Sequence, residues 1–162
     1  MIIRDATADD WEQIWPFMRQ IVTAGETYAY DQDMHEATAR ELWLVRPPGR
    51  TVVAVKEGDT VLGTANMYPN RPGPGSHVAS ASFMVDGRAS GRGVGRALGE
   101  EALVWARASG FRAMQFNAVV ATNTRAVALW RSLGFEIIGT VPEAFRHPTD
   151  GYVGLHVMYR RL

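Results

Sequence analysis

The chain is predicted to be a mixed α/β domain: a central sheet of six to seven strands flanked by about four helices. Three observations carry that reading. Short apolar runs rich in β-branched and aromatic residues are interleaved with amphipathic segments of helical period. The early runs are joined by a tight hairpin while the later ones are separated by helix-length segments, so the sheet starts antiparallel and becomes mixed. A third signal is Ser90-Gly91-Arg92-Gly93-Val94-Gly95-Arg96, three alternating glycines between an apolar run and an apolar-periodic segment, which marks a strand, a bare-backbone loop and a helix start.

Each element follows from local chemistry. Ile2 to Arg4 forms a first strand, and Thr7 with Asp10 three residues later reads as a capping box with Asp in the Glu position. The helix after it carries Trp11, Ile14, Trp15, Met18, Ile21 and Val22 on one side, with a kink expected at Pro16. His35 to Val45 is a second helix with Ala39, Leu42 and Trp43 inward, stopped by Pro47-Pro48. Thr51 to Lys56 and Thr60 to Tyr68 are strands joined by the hairpin Glu57-Gly58-Asp59. Val78 to Val85 is the third long strand. Gly93 to Ala108 is the central helix, with Val94, Ala97, Leu98, Ala102 and Trp105 facing the sheet. Ala113 to Val119 is a strand. Asn123 to Leu133 is a helix with Asn123 as its N-cap, an apolar stripe at Ala126, Leu129, Trp130 and Leu133, and Gly134 supplying the left-handed residue that ends it. Phe135 to Val141 and Tyr152 to Arg160 close the sheet.

Composition narrows the function. At 162 residues, without linker or repeat, the chain reads as one domain spanning 1–162. Seventeen basic and seventeen acidic side chains cancel, so bulk charge argues for neither nucleic acid nor membrane as partner. There is no cysteine, which removes disulfides, thiolate nucleophiles and thiolate metal sites; the four histidines have no ligand spacing, and no metal is expected. No apolar run approaches the ~20 residues of a membrane span, and no leader pattern opens the chain, so a cytoplasmic enzyme is the expectation.

The glycine loop suits a phosphorylated ligand, because unshielded main-chain N–H groups and a helix N-terminus converge there. It lacks the Gly-Lys-Ser/Thr ending of nucleotide hydrolases, since Gly95 is followed by Arg96 and Ala97. It fails the dinucleotide pattern in both frames, where Leu98 or Arg96 stands at the third glycine place. What remains resembles the acetyl-coenzyme A loop of the GNAT-type N-acetyltransferases. A second segment agrees: Asn123-x-x-Ala126-x-x-Leu129-Trp130-x-x-x-Gly134-Phe135 is similar to that family's second signature, with Trp130 in place of Tyr. The resemblance spans essentially the whole chain and implies the GNAT fold, with acetyl-coenzyme A as cofactor.

In that family the strand before the loop splays from its neighbour and the pantetheine arm pairs with it, which implies Phe83, Met84 and Val85 here. The diphosphate then meets Gly91, Arg92, Gly93, Val94, Gly95 and Arg96. Asn123, Ala126 and Trp130 complete the implied cofactor contacts. Ser90 stands where the family has Arg or Gln, so a weaker charge contact is expected, offset by Arg88 or Arg92. No catalytic side chain is assigned. Indole N–H cannot protonate a thiolate, and Ser80 occupies the place of the family's glutamate base. His77 and Tyr28 are candidate bases on reach alone. Main-chain N–H groups near Phe83 and Val85 would support the oxyanion.

The acceptor side is read from polar residues in apolar company. Asn117 is expected to be buried in the strand Met114 to Val120, as a structural amide or as an acceptor contact. Asn70 and His77 lie on a proline-stiffened loop expected to lead into the same cleft, with Thr27-Tyr28-Ala29-Tyr30 as lid and acceptor wall. Pro69-Asn70, Ser76-His77, Phe116-Asn117-x-Val119-x-x-Thr122-Asn123, Leu129-Trp130 and Gly139-x-Val141-Pro142 resemble a narrower group, the yeast-type azetidine-2-carboxylate (proline-analogue) acetyltransferases. That group also carries Trp at the Trp130 place, and its residues aligned with Asn70 and Asn117 hold the acceptor's carboxylate. The expected function is acetyl transfer to the amino or imino nitrogen of a small molecule, an amino acid or proline analogue. The alternatives are a peptide or protein N-acetyltransferase and a non-catalytic acyl-coenzyme A sensor. Neither nucleic acid nor membrane is expected as partner; a homodimer stays open.

Overall fold

The structure is a computed structural model that describes residues 1–162. Its elements in chain order are β1 (Ile2–Asp5), α1 (Trp11–Ala24), α2 (Glu36–Trp43), β2 (Arg50–Lys56), β3 (Thr60–Pro69), β4 (Val78–Val85), α3 (Val94–Ala108), β5 (Ala113–Val120), α4 (Thr124–Ser132), β6 (Glu136–His147) and β7 (Gly151–Arg161). The seven strands form one sheet in the order β1-β2-β3-β4-β5-β7-β6. Every neighbouring pair is antiparallel except β4 and β5, which run parallel and are in register only at Val78–Ala113 and Ala79–Met114. A parallel pair needs a crossover, and α3 provides it.

The period of two along the strands builds a core on each face. Val52, Ala54, Ala65, Met67, Ala79, Ala81, Met114 and Phe116 pack with Val94, Leu98, Ala102 and Ala106 of α3 and Trp130 of α4. Val53, Val55, Val61 and Met84 face the other way, onto Trp11, Ile14, Phe17 and Met18 of α1 and Ala39 and Trp43 of α2. Gly99 sets the approach of α3 to α4: a Cβ there would come within 2.7 Å of the Leu133 side chain and 3.0 Å of Trp130.

Most local signals are realised. Thr7 and Asp10 form the capping box, on a short 3-10 turn ahead of α1. The Asn123 side chain accepts from the Ala126 N–H at 3.3 Å, and Gly134 is left-handed with φ 85°. Three details differ. The second helix is shorter than 35–45: His35 is an extended N-cap and the chain leaves helical geometry at Leu44. Leu42, expected inward, points outward, because the shortened helix buries only Ala39 and Trp43. The strand expected to end at Val141 runs on to His147 across a register shift between Val141 and Phe145, with Glu143 at φ 50°. Pro142 and the mostly exposed face of β6 hide that continuation, since no apolar alternation marks it. No helix is long and apolar enough to cross a membrane.

Candidate active site

Where β5 leaves β4, a cleft of about 770 Å³ opens between the strands, with the glycine loop and α4 at one end and the α1–α2 segment at the other. The direction of the β4 main chain follows from its ladder with β3. Asp86 N–H donates to the Leu62 carbonyl at 2.9 Å, so by antiparallel alternation the main-chain groups of Phe83 and Val85 face the gap. β5 supplies no partner there, because its pairing with β4 stops at Ala79. At Phe83 both groups are taken by one side chain. The Tyr28 hydroxyl accepts from the Phe83 N–H at 3.0 Å and donates to the Phe83 carbonyl at 2.5 Å.

The loop between β4 and α3 shows why it needs glycines. Gly91 and Gly93 both have φ 79°, a left-handed backbone that other residues adopt at a cost. Gly93 is the N-cap of α3, so the first-turn N–H groups of a 15-residue helix face the cleft. Gly95 is on the helix and 3.3 Å, measured from an added Cβ, from Leu129 of α4. The cations differ from those expected. Arg88 is turned onto Asp86, with Nη2 to Oδ2 at 2.6 Å, and holds that carboxyl below the usual carboxylate range; neither Arg88 nor Arg92 lines the cleft. The lining cations are Arg96, whose Nη2 donates to Ser132 Oγ at 2.7 Å, and Arg125, whose Nη1 donates to Ser90 Oγ at 3.1 Å. Arg125 was missed in the sequence. Its signal is a cation in the first turn of a helix, against the macrodipole, which wants an anion nearby. No aspartate or glutamate lines the cleft.

Phe83, Met84, Val85, Ser90, Gly91, Gly93, Val94, Gly95, Arg96, Asn123, Ala126 and Trp130 all border this one cleft, so the two sequence motifs converge in space. Trp130 is buried and sits in an aromatic cluster, with ring centroids 4.6 Å from Phe83 and 4.9 Å from Phe116.

The opposite wall is built of hydroxyls. Ser80 and Ser82 project from β4 beside Tyr68 of β3, and the Tyr68 hydroxyl lies 3.5 Å from Ser82 Oγ. Tyr28 and Tyr30 stack at 5.3 Å. Burial pushes the Tyr28 phenol far above its ordinary value and the Tyr30 phenol up to about 12. In this structure the Tyr28 hydroxyl is engaged on the Phe83 main chain, accepting from its N–H and donating to its carbonyl. Asn117 is corrected: it is exposed, at the register shift between β5 and β7, not buried among apolar neighbours. It does meet Asn70. The two amides exchange hydrogen bonds, Asn70 Nδ2 to Asn117 Oδ1 at 3.2 Å and Asn117 Nδ2 to Asn70 Oδ1 at 2.6 Å, and Gln115 adds a third at 2.9 Å. Asn117 borders the cleft while Asn70 stands behind it. His77 lies elsewhere, exposed at the start of β4, with its carbonyl accepting from Arg112 N–H. The loop returns to the paired end of the two strands, so His77 cannot face their open end.

The sequence model of the acetyltransferase (GNAT) family matches residues 15–135. A structure described as a GCN5-related N-acetyltransferase from Kribbella flavida is 65% identical with a TM-score of 0.97, covering 99% of this chain and 97% of that one. A phosphinothricin acetyltransferase from Sinorhizobium meliloti, solved in complex with acetyl-coenzyme A, is 26% identical with a TM-score of 0.89, covering 99% of this chain and 88% of that one. The N-acetyltransferase aca1 of Schizosaccharomyces pombe is 28% identical over 156 residues, 87% of this chain and 75% of that protein.

Proposed function

The chain belongs to the acetyltransferase (GNAT) family, and we propose that it transfers acetyl from acetyl-coenzyme A to the amino or imino nitrogen of a small molecule, an amino acid or proline analogue. The observation that carries this reading is the junction of an unpaired strand edge with a glycine-lined helix N-terminus and two arginines. It offers a strand edge for an amide-bearing arm, then N–H groups and guanidinium charge for phosphates. The residues fit the cofactor: the left-handed glycines leave the approach to α3 clear of side chains, and no carboxylate opposes the phosphates.

When bound, the thioester supplies the acetyl group: the amine lone pair forms the new C–N bond, the C–S bond breaks to thiolate, and the amine proton passes to water. The chain's part is positioning. Val85 pairs with the arm, the glycine loop with Arg96 and Arg125 holds the phosphates, and Trp130 packs beside the reacting end without exchanging a proton. With no ionised side chain on the acceptor wall, the amine must arrive uncharged, and the wall offers only hydroxyls and amides to orient it. This disfavours polyamines and basic peptides, whose positive charges would be desolvated without partners. Asn117, which borders the cleft and is held by Asn70 and Gln115, supports recognition of a carboxylate through its remaining N–H donor.

The test is thiol release from acetyl-coenzyme A across free amino acids, imino acids, their amides, polyamines and short peptides. Turnover concentrated in the free acids supports the assignment. Equal turnover with amides or peptides removes the carboxylate reading and leaves the acetyltransferase; binding without turnover with any amine favours an acyl-coenzyme A sensor.

A further inference from the structure

The one side chain that bonds to the exposed edge of β4 is Tyr28, and it does so twice. Its hydroxyl stands where a neighbouring strand's main chain would stand, accepting from Phe83 N–H and donating to Phe83 C=O. A β5 residue would fill that role in a closed sheet, but β5 has already diverged. We propose that Tyr28 is an internal occupant of the acyl position: it satisfies the Phe83 main chain in the free protein and must withdraw when the thioester carbonyl takes the Phe83 N–H, so Tyr28 sets the affinity for the acyl donor. The inference rests on the reading of this cleft as the acetyl-coenzyme A site.

Several features fit an occupant that leaves. Tyr28 is carried not by a helix or strand but by the segment between α1 and α2, which starts at Gly25 with φ 65° and is buried there against Gln32. Its ring is held by soft contacts, stacked on Tyr30 at 5.3 Å and edge-on to Trp43 at 6.4 Å, with no ion pair to break. Its phenol stays neutral, so withdrawal strands no charge. It also couples the two halves of the cleft. The ring that would move belongs to the same wall as Tyr30, Tyr68 and Ser82, so its withdrawal from Phe83 reshapes the acceptor's surface as well.

Two measurements test this. Tyr28→Phe keeps the ring and its packing and removes only the hydroxyl. By calorimetric titration the variant is expected to bind acetyl-coenzyme A roughly 3- to 10-fold more tightly than the wild type, the gain from no longer displacing a modest hydrogen bond. Equal or weaker binding by a folded variant overturns the proposal while leaving the donor site in place; no binding by the wild type overturns the donor reading itself. The second measurement needs no variant. In the wild type, the nuclear Overhauser contact between the Tyr28 ring and the Phe83 amide proton is expected in the free protein and lost at saturating acetyl-coenzyme A. Its persistence in the complex contradicts the proposal.

Discussion

Arg125 carries the part of the account that depends most on one side chain. Ser90 leaves the first position of the loop without charge, Arg88 is spent on Asp86, and the guanidinium arrives from α4 instead. A charged hydrogen bond contributes about 1.5–3 kcal/mol, so Arg125→Gln should raise the KM for acetyl-coenzyme A roughly 10- to 100-fold with kcat little changed. Adding Ser90→Arg to that variant should recover much of the loss by returning charge to the loop, and initial-rate kinetics on the three proteins checks both statements. No recovery, with the double variant folded, would place Arg125 in a structural role. The reasons for the misplaced expectations at this scale are physical. Spacing along the chain says which residues share an element, but the distance between Ser90 and Arg125 is set by how α3 and α4 pack, through the contact of Gly99 with Leu133 and Trp130. Similarly, Asn117 reads as buried because its neighbours are apolar; the register shift of β5 turns it outward.

At the scale of elements, two contacts hold the site's supports. α4 lies against α3 only because Gly99 has no side chain, so Gly99→Val should overpack the crossing by about 1–3 kcal/mol and lower the melting temperature by roughly 2–4 °C for each. Differential scanning calorimetry measures it, and an unchanged melting temperature would show that the helices can part freely. On the opposite face, Arg4 grips both oxygens of Asp10 at 2.8 Å and ties β1 to the start of α1. The Arg4 hydrogen bonds hold the Asp10 carboxyl below its ordinary value against the opposing effect of burial. A carboxyl lowered on folding stabilises above its unfolded value, about 3.9, and loses that contribution as pH falls through the folded value. Asp10→Asn should therefore be less stable than the wild type at neutral pH, with the difference shrinking below about pH 4; urea unfolding at pH 7 and pH 3 reads both. A gap that is constant with pH would contradict the ion pair as its source. Helix starts were legible at this scale because capping is local: Thr7 with Asp10 and Asn123 with Ala126 need only neighbouring residues. The length of β6 was not, because an exposed strand interrupted by Pro142 carries no period-two pattern.

For the whole molecule, fold and donor site share one cause. A sheet that is antiparallel from β1 to β4 and parallel for two residue pairs between β4 and β5 must open beyond them, and the crossover helix that makes the parallel pair starts at the glycine loop. The gap and its positive end are thus products of topology, and the glycine spacing at the start of the crossover helix, with the motif from Asn123 to Phe135, made the donor site legible in the sequence. The acceptor wall, by contrast, is assembled from Tyr28 and Tyr30, Tyr68, and Ser80 and Ser82, distant in sequence and common as surface residues, and only tertiary packing brings them together. The central claim is that this gap binds acetyl-coenzyme A through the glycine loop. Calorimetric titration of acetyl-coenzyme A and of NAD into the wild type and into Gly93→Val tests it most directly. Saturable binding of acetyl-coenzyme A alone, lost or weakened at least tenfold when a valine is forced into the left-handed N-cap of α3, is the predicted result. Comparable binding of NAD, or unchanged affinity in a folded Gly93→Val protein, would contradict it.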